Sequence, residues 1–310
     1  MPRTKILSKT FFAMGTANTI TIPEKYADVA EDIRSFIMTL HDLVNVFDDR
    51  SELSEINRMA GRQDVTVNPN TFRLLVHAER ARLKTGGFFH AGLLPAIQIW
   101  RKAKETQRLP SHFELRKTSH IIKKSELILN PEKHTVFLKK AGQGIDLGGI
   151  AKGYAIDRTV EVLRKRNVPE ALLNFGGTIY VHGETCRIGI QNPFAKMGCY
   201  IGSLQIQDQA VVTSGIYERY FELGGTRYHH IIDPKTSKPA ETDLAGVTLI
   251  GKHAGELDAL ATAVIVTGTE KGLKLIHEHR VDAVLIHKNG TVYVTDGLKN
   301  NLKPESCVAV

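Results

Sequence analysis

A carboxylate and a hydroxyl lie four residues apart, at Asp258 and Thr262, in an apolar segment with helical hydrophobic spacing. Residues at positions i and i+4 share one helix face, with Cβ atoms about 5–6 Å apart. Two oxygen ligands with no cysteine or histidine beside them suit a hard cation such as Mg²⁺. Such an ion usually accompanies a phosphate or pyrophosphate, so the pair points to phosphate chemistry. The alternative is that both side chains only solvate one edge of a core helix.

A second candidate site is the glycine-rich segment 142–153, where a strand ends and a helix begins. Glycines allow a backbone to approach a ligand closely, and a helix N-terminus offers free N–H groups to an anion. Lys152 lies in the first helical turn, where its charge opposes the helix dipole unless a bound phosphate offsets it. The segment matches neither a Walker A loop nor a dinucleotide-binding fingerprint. A simple turn and helix cap is the alternative interpretation.

Two adjacent histidines, His229 and His230, end a strand that runs into the turn at Asp233-Pro234. Neighbouring residues of a strand face opposite sides, so the two rings do not form a paired metal site. The unperturbed pKa of histidine is near neutral, so one of them could take a proton from a hydroxyl nucleophile. A structural histidine is the alternative interpretation.

The composition, with 42% hydrophobic and 24% charged residues in 310, is ordinary for a soluble globular protein. No apolar run reaches the length of about 18 residues that a transmembrane helix needs. The net charge of +8 favours anionic partners. Nucleic acid is not expected, because no arginine-rich arm with interleaved aromatic residues appears. Cys186, Cys199 and Cys307 lack close pairing, and no secretory signal is visible, so we expect reduced thiols in a cytoplasmic protein.

The elements that must position these residues alternate irregularly between strands and helices. The hydrophobic patterns predict a strand over 10–22, helices over 26–47, from Ser51 and over 71–84, short strands and turns over 109–140, a helix over 151–166, strands near 171–181, 186–191, 200–213, 217–223, 227–232 and 245–250, helices around Asp258 and over 270–279, and a closing hairpin at Asn289-Gly290. Because regular βαβ alternation is missing, the pattern favours an α+β fold in one compact unit, with or without two lobes.

Together, several blocks of this sequence resemble the ApbE family, the FAD:protein FMN transferases. The blocks occur in the family's order over roughly residues 11–270, at 14–16, 51–53 with Asn57, 146–155, 174–177, 213–215, 230–234 and 258–263. Each block is weak evidence alone, but their joint order is highly specific. The resemblance implies an ApbE-like, T-fold-like arrangement of mixed sheets and packed helices, in a single domain over 1–310.

The resemblance also implies a reaction and the residues that serve it. FMN passes from FAD to a threonine hydroxyl of an acceptor flavoprotein of respiratory or reductase type, Mg²⁺ assists, and AMP leaves. Asp258 and Thr262 are the implied side-chain ligands of the metal, and Gly149 is the implied carbonyl ligand. The implied contacts to FAD are Met14, Phe47, Phe88, Phe89, His90, Asp146, Lys152 and Ile232. The catalytic candidates are His230, as base for the acceptor threonine, and Asp258.

One segment departs from the family's usual pattern. After Phe88 and Phe89, His90 stands where the family usually has a carboxylate, and Leu94 stands where a glycine precedes Pro95. This change leaves flavin geometry and nucleotide preference open. Two other functions also remain open: an FAD pyrophosphatase, in which water replaces threonine, and a carrier that holds FAD without turnover. The retained Asp258 argues against the carrier.

Overall fold

The computed structural model describes residues 5–305. Within them lie seven α-helices: α1 (Ala27–Val44), α2 (Glu52–Arg58), α3 (Pro69–Lys84), α4 (Leu94–Thr106), α5 (His112–Lys123), α6 (Ala151–Lys165) and α7 (Ala254–His279). The strands are β1 (Ile6–Ala13), β2 (Thr16–Pro23), β3 (Val65–Thr66), β4 (Leu127–Asn130), β5 (Thr135–Leu138), β6 (Ala171–Phe175), β7 (Thr178–His182), β8 (Cys186–Gln191), β9 (Tyr200–Ile206), β10 (Gln209–Gly215), β11 (Tyr220–Leu223), β12 (Thr226–His229), β13 (Leu244–Gly251), β14 (Asp282–His287), β15 (Val292–Val294) and β16 (Lys303–Pro304).

An eight-stranded sheet forms the centre of the molecule, in the order β1-β2-β6-β7-β10-β13-β14-β15. All of its neighbouring strands run antiparallel. Smaller sheets are formed by β16-β9-β8, by β3-β5-β4 and by β11-β12. An antiparallel sheet mixed with helices confirms the predicted α+β class.

The two faces of the central sheet bury different cores, because side chains alternate along each strand. On β10, Val212 belongs to the main core, where helices α1, α6 and α7 pack, while Val211 faces the other side. There it packs with Ile188 of β8 and Leu204 of β9. The sheet is therefore held between a helical layer and a small second sheet.

A third, separate apolar cluster joins α4 and α5 to the residues after β12. It contains Trp100, Leu115, Ile122 and Ile232, all buried. The Trp100 ring stacks on Tyr228 with centroids 5.2 Å apart. This cluster fixes the chain that leaves β12 against the helical layer.

The central sheet ends at β1 on one side and at β15 on the other. β1 is eight residues long and β15 is three. The Lys9 ammonium, in the middle of β1, forms an ion pair with Glu31 of α1. The longer edge strand therefore carries a charge that is tied to the neighbouring helix.

Several predicted single strands are hairpins. The strand predicted over 10–22 is β1 and β2, joined at Met14-Gly15, where φ is +54° and +72°. The strands predicted over 171–181 and 200–213 are likewise split, into β6 and β7 and into β9 and β10. These predictions were wrong because alternation continues across a two-residue turn, so the pattern alone does not reveal the reversal.

The helix predictions are confirmed at α1, α2, α3 and α6, and Ser51 caps α2 by accepting from the Ser54 N–H at 3.0 Å. The predicted helices around Asp258 and over 270–279 form one element, α7, with a break at Gly268 (φ +71°). Two helices were missed. Helix α4 had no assignment, and α5 lies where short strands and turns were expected.

The cysteines differ from the expectation in part. Cys186 is a free, half-buried thiol, but Cys199 is disulfide-bonded, and Cys307 lies outside the described residues. The prediction of reduced thiols is therefore wrong at Cys199, because sequence spacing does not reveal which cysteines a fold brings together. This bond gives no support to the cytoplasmic expectation, since disulfides are rare in reducing compartments. Across residues 5–305, no helix is long and apolar enough to cross a membrane.

Candidate active site

Asp258 lies in the second turn of α7 and is only 3% exposed. Its Oδ2 accepts the Gly153 N–H at 3.1 Å and stands 3.5 Å from Lys152 Nζ. Its Oδ1 has no hydrogen-bond partner among residues 5–305. Oδ1 keeps contact with solvent, so a cation or a hydrogen-bond donor of a ligand can reach it. Asp258 is thus arranged as a ligand rather than as a closed ion pair.

The approach of α6 to α7 depends on two glycines at the crossing. A Cβ on Gly153 would stand 2.2 Å from the Ala254 carbonyl oxygen, and one on Gly255 would stand 3.1 Å from Asp157 Oδ2. Asp157 of α6 accepts the N–H groups of Ala254 and Gly255 at 2.8 and 2.9 Å. Burial raises the pKa of Asp157 to about 6. This contact caps α7 and turns Asp258 toward the first turn of α6.

Thr262 lies one turn beyond Asp258 on the same helix face, as the spacing predicts. Its hydroxyl donates to the Asp258 carbonyl oxygen at 3.2 Å, so the lone pairs of Oγ1 are left for another partner. Gly149 is next to it: a Cβ there would lie 3.5 Å from Thr262 Oγ1 and 3.3 Å from the Phe89 ring. The fold therefore brings together the three residues that were predicted to bind a metal.

The oxygen character of this set suits Mg²⁺. Within residues 5–305, no three histidine, cysteine, aspartate or glutamate side chains lie close enough together to hold a metal, at this site or at any other. A cation at Asp258 would therefore need the Thr262 hydroxyl, a backbone carbonyl, and oxygens from substrate or water. Mg²⁺ commonly keeps such a shell, with one or two carboxylates and several phosphate or water oxygens.

The glycine-rich loop before α6 is fixed by Asn57 of α2. The Asn57 side chain accepts the Ile145 N–H at 2.6 Å and donates to the Ile145 carbonyl at 2.9 Å. Asp146 follows, and its Oδ1 accepts the Gly148 N–H at 2.9 Å. Burial raises the pKa of Asp146. The Asn57 amide thus satisfies both backbone groups of Ile145, as a neighbouring strand would, and fixes the loop that carries Asp146.

Lys152 is the positive centre of this region. Besides its contact with Asp258, its charge acts on the titration of three further groups, lowering the pKa in each case: Asp146, Glu218 and His230. Burial is the larger influence on Glu218 and raises its pKa, and the Asp258 carboxylate adds to that rise. Sequence reasoning missed Glu218. It follows the block 213–215 by three residues, which was the available signal.

His230 is held by the backbone of Arg219. Its Nδ1 donates to the Arg219 carbonyl at 3.1 Å, and its N–H donates to the same oxygen at 3.1 Å. His230 is exposed on one side, but the protein atoms around it partly desolvate the ring and lower its pKa to about 4. The ring is therefore neutral at pH 7, and Nε2 keeps its lone pair. His229 instead hydrogen-bonds to the Ala240 carbonyl through Nε2 at 3.1 Å.

The aromatic residues predicted to contact FAD have three different surroundings. Phe89 is buried against Gly149. The Phe88 ring lies under Lys235, with Nζ 4.3 Å from its centroid. Phe47 is 67% exposed and lies 5.4 Å from the Arg101 guanidinium. Exposed aromatic faces of this kind are available for stacking.

Met14 occupies the left-handed turn between β1 and β2, and its N–H donates to His41 Nδ1 at 3.3 Å. Arg219 reaches the same turn, with a guanidinium nitrogen 3.4 Å from the Gly15 carbonyl oxygen. Arg219 therefore links this turn to His230, because its side chain contacts Gly15 and its carbonyl accepts from His230. Met14 lies in the turn that Arg219 contacts.

Two predicted contact residues direct their side chains elsewhere. The His90 ring accepts the Gly92 N–H through Nδ1 at 2.9 Å and lies 3.3 Å from the Ser125 hydroxyl. It lines a separate cavity of about 110 Å³. Ile232 is 4% exposed, with its side chain in the third apolar cluster. Only the backbone of these two residues remains for a ligand.

The capping contact of His90 explains how a histidine can stand where the family usually has a carboxylate. Its Nδ1 caps the short turn at residues 91–93 as an aspartate oxygen would, by accepting the N–H two residues on. Burial lowers the pKa of His90 to about 4, so the ring stays neutral and Nδ1 stays an acceptor. His90 thus makes the capping contact that an aspartate at this position could make.

Comparison with known sequences gives a consistent result over nearly the whole chain. A sequence profile described as the ApbE family matches residues 14–285. The FAD:protein FMN transferase of Klebsiella pneumoniae is 33% identical over 305 residues, which cover 98% of this chain and 96% of that protein. That of Treponema pallidum is 31% identical over 292 residues, covering 88% and 81%.

Solved structures share the fold. The ApbE protein of Thermotoga maritima superposes with a TM-score of 0.86 at 27% identity, covering 96% of this chain and all of that one (100%). The flavin transferase ApbE of Vibrio cholerae gives a TM-score of 0.80 at 23% identity, covering 96% and 99%. The element order described above is therefore shared with these proteins.

Proposed function

Because the chain belongs to the ApbE family and is an FAD:protein FMN transferase, we propose that it uses Mg²⁺ and delivers FMN to a threonine hydroxyl of its acceptor. The observation that carries this proposal is the convergence at the crossing of α6 and α7. There a buried carboxylate with a free oxygen, a hydroxyl and a lysine lie together, at Asp258, Thr262 and Lys152. This set suits a pyrophosphate and its cation.

The proposed metal ligands are Asp258 Oδ1, Thr262 Oγ1 and the Gly149 carbonyl. Mg²⁺ bound there would neutralise charge on the phosphate oxygens while the bond to AMP breaks. Lys152 adds a fixed positive charge on the same side, and its aliphatic stem is mostly covered. Because these groups are preorganised by the helix crossing, little reorganisation is needed as charge develops.

In the proposed step, the threonine Oγ of the acceptor attacks the phosphorus of the FMN half of FAD. A phosphorus–oxygen bond to threonine forms, and the bond to the AMP half breaks, so that AMP leaves with the bridging oxygen. The threonine proton passes to His230 Nε2. The hydrogen bond from Nδ1 to the Arg219 carbonyl fixes the tautomer that this transfer requires.

The flavin contacts are proposed at Met14, Phe47, Phe88, Phe89, His90, Asp146, Lys152 and Ile232. Phe88 and Phe47 would offer ring faces, and Asp146 and Lys152 their polar groups. The burial of Ile232 and the capping contact of His90 limit these two to backbone contacts. A flavoprotein of respiratory or reductase type is the proposed acceptor.

The test is the release of AMP from FAD, with and without a threonine-bearing acceptor domain, in Mg²⁺ and then in EDTA. We expect AMP only when Mg²⁺ and acceptor are both present, and an acceptor heavier by one FMN. AMP with free FMN and no need for acceptor would instead show an FAD pyrophosphatase. FAD retained without AMP, with several acceptors tried, would show a carrier.

A further inference from the structure

A second concave surface, which we call the basic groove, lies between α5 and the turn that follows Ile232. Its volume is about 460 Å³. The charged and titratable side chains that line it are Arg116, Lys123, Lys235, Lys238, His112 and His120. No aspartate or glutamate lines it. The groove is therefore a concentrated positive surface on a chain of net charge +8.

Helix α5 presents one basic face to the groove because of its residue spacing. His112, Arg116, His120 and Lys123 recur at intervals of three or four residues, which places them on one side of the helix. Leu115 and Ile122 are buried in the third apolar cluster. Because the apolar side of α5 is buried, its basic side faces the groove.

The other wall of the groove is the turn after Ile232, which side chains of α4 and α5 hold through hydrogen bonds. The Trp100 Nε1–H donates to the Ser237 carbonyl at 2.6 Å, and the Ser119 hydroxyl donates to Ser237 Oγ at 3.1 Å. Ser237 is completely buried. Because α4 and α5 both hold this turn, Lys235 and Lys238 are displayed on a rigid support.

The four cations of the groove lack protein counter-charges. In the part of the chain that the structure describes, no carboxylate lies within ion-pair distance of Arg116, Lys123, Lys235 or Lys238. On the neighbouring α4, by contrast, Arg101 pairs with Glu105 at 2.9 Å. Unpaired cations held close together repel one another, and an anionic partner relieves that repulsion.

The groove opens beside the proposed reaction centre. Lys235 lines the groove, and its Nζ also stands 4.3 Å from the centroid of Phe88, a proposed flavin contact. The turn itself begins at Asp233, three residues after His230. An acceptor that offers a threonine to His230 therefore brings its neighbouring residues over the groove.

We propose that the basic groove binds an acidic segment of the acceptor protein, close to the target threonine. This inference rests on the proposed function, because it assumes that a protein acceptor approaches His230. A protein segment fits better than a nucleic acid, since no phenylalanine, tyrosine or tryptophan lines the groove to stack on bases. Complementary charge of this kind raises the association rate and selects the correct partner.

The test compares two double variants with the same change in net charge. Arg116→Glu with Lys123→Glu reverses the groove, and Lys117→Glu with Lys124→Glu reverses exposed residues of the same helix region that do not line it. Fluorescein-labelled octaglutamate is the probe, and anisotropy at low salt gives its dissociation constant. We expect the groove variant to bind about tenfold more weakly or worse, and the control to stay within about twofold.

Equal weakening in both variants would overturn the proposal, as would failure of octaglutamate to bind the wild-type protein. Binding of a labelled single-stranded oligonucleotide through the groove, without binding of octaglutamate, would assign the surface to nucleic acid instead. Because this assay contains no FAD, its result is independent of whether the chain transfers FMN.

A second measurement ties the groove to transfer. With a flavoprotein domain that the wild-type protein flavinylates, the groove variant should raise KM for the acceptor about tenfold, with kcat and FAD affinity within about twofold. A fall in kcat at unchanged KM would contradict a docking role. If the wild-type protein flavinylates none of several acceptor domains, the proposed function is overturned and the peptide result still stands.

Discussion

The charged residues of the candidate active site influence one another. The Lys152 ammonium lies 3.5 Å from the carboxylate of Asp258, a proposed metal ligand. The charge of Lys152 also lowers the pKa values of His230 and Glu218. Loss of solvent is the main reason that the pKa of His230 is lowered, and the charge of Lys152 adds to it. The residue types alone suggested such chemistry, but their mutual effects became visible only with the fold.

His230→Ala tests the base. We expect FAD binding to stay largely intact and the rate of FMN transfer to fall about 10²–10⁴-fold, because the acceptor threonine loses its proton acceptor. Transfer rates and flavin fluorescence titrations measure the two effects. His229→Ala is the control, since that ring bonds to the Ala240 carbonyl. Unchanged transfer by His230→Ala would remove the residue from this role.

The same histidine sets a pH dependence. The neutral ring is the active form, and its pKa is about 4 in the folded protein. Transfer by the wild-type protein should therefore be insensitive to this group above about pH 5 and should decline as pH falls through about 4. The rate–pH profile measures this, and the profile of His230→Ala should lack the decline. A decline near pH 6.5 would show that the ring keeps its ordinary pKa.

Asp258→Asn tests the metal ligand. The amide keeps the shape of the side chain but loses its charge, so transfer at a fixed Mg²⁺ concentration should fall by about 10²-fold or more. Titration of the rate with Mg²⁺ gives the readout. Asp208→Asn is the matched control, because Asp208 accepts the Gly183 N–H and lies outside the crossing of α6 and α7. Its Mg²⁺ dependence should be unchanged, and an equal loss in both variants would contradict the assignment.

At the scale of elements, the crossing of α6 and α7 positions the cluster. Glycine at position 153 permits the approach, and Asp157 fixes it. The sequence predicted α6 and the start of α7 well, because their apolar periodicity is strong. It did not predict that they cross, since nothing local records which helices pack together.

Gly153→Ala tests the crossing. The added methyl group would stand 2.2 Å from a backbone carbonyl, which cannot move aside cheaply. We expect a loss of about 1–3 kcal/mol in the free energy of unfolding and reduced transfer by the folded protein. Urea denaturation and rate assays measure both. Gly246→Ala, with its nearest contact at 3.4 Å, is the control and should be nearly neutral.

Helix α5 shows a local signal that was available and overlooked. Ser111 accepts the Glu114 N–H at 3.2 Å, and Glu114 accepts the Ser111 N–H at 2.8 Å, so the segment starts with a capping box. The many lysines of this region suggested solvated turns. The segment is a helix instead, and Arg116 and Lys123 share one of its faces with His112 and His120, so the basic groove was not visible in the sequence.

At the scale of the whole molecule, two apolar clusters lie on the faces of the central sheet, and a third joins α4 and α5 to the residues around β12. The sequence predicted the fold class, the closing hairpin and most helices, because these depend on local pattern. It did not predict the strand order, which depends on long-range pairing. Nor could it place the side chains of His90 and Ile232, which packing turned away from the cluster.

The prediction of one domain over 1–310 can be tested by unfolding. Trp100 is the only tryptophan and lies in the third apolar cluster, whereas far-UV circular dichroism reports on all elements. We expect the two signals to change at the same urea concentration, as for one cooperative unit. The Tyr228→Ala variant checks the link, because it loosens the Trp100 contact. Separate midpoints in the wild-type protein would reveal a lobe that unfolds alone.

The charged edge of the central sheet has a consequence for behaviour in a crowded solution. An open edge strand offers free backbone groups to any other chain, and long flat edges invite aggregation. On β1, the Lys9 side chain is tied to Glu31, so a second strand arriving there would have to bury or break that pair. At the opposite edge, β15 is too short to template much pairing. Both edges of the central sheet are therefore poor templates for the addition of another strand.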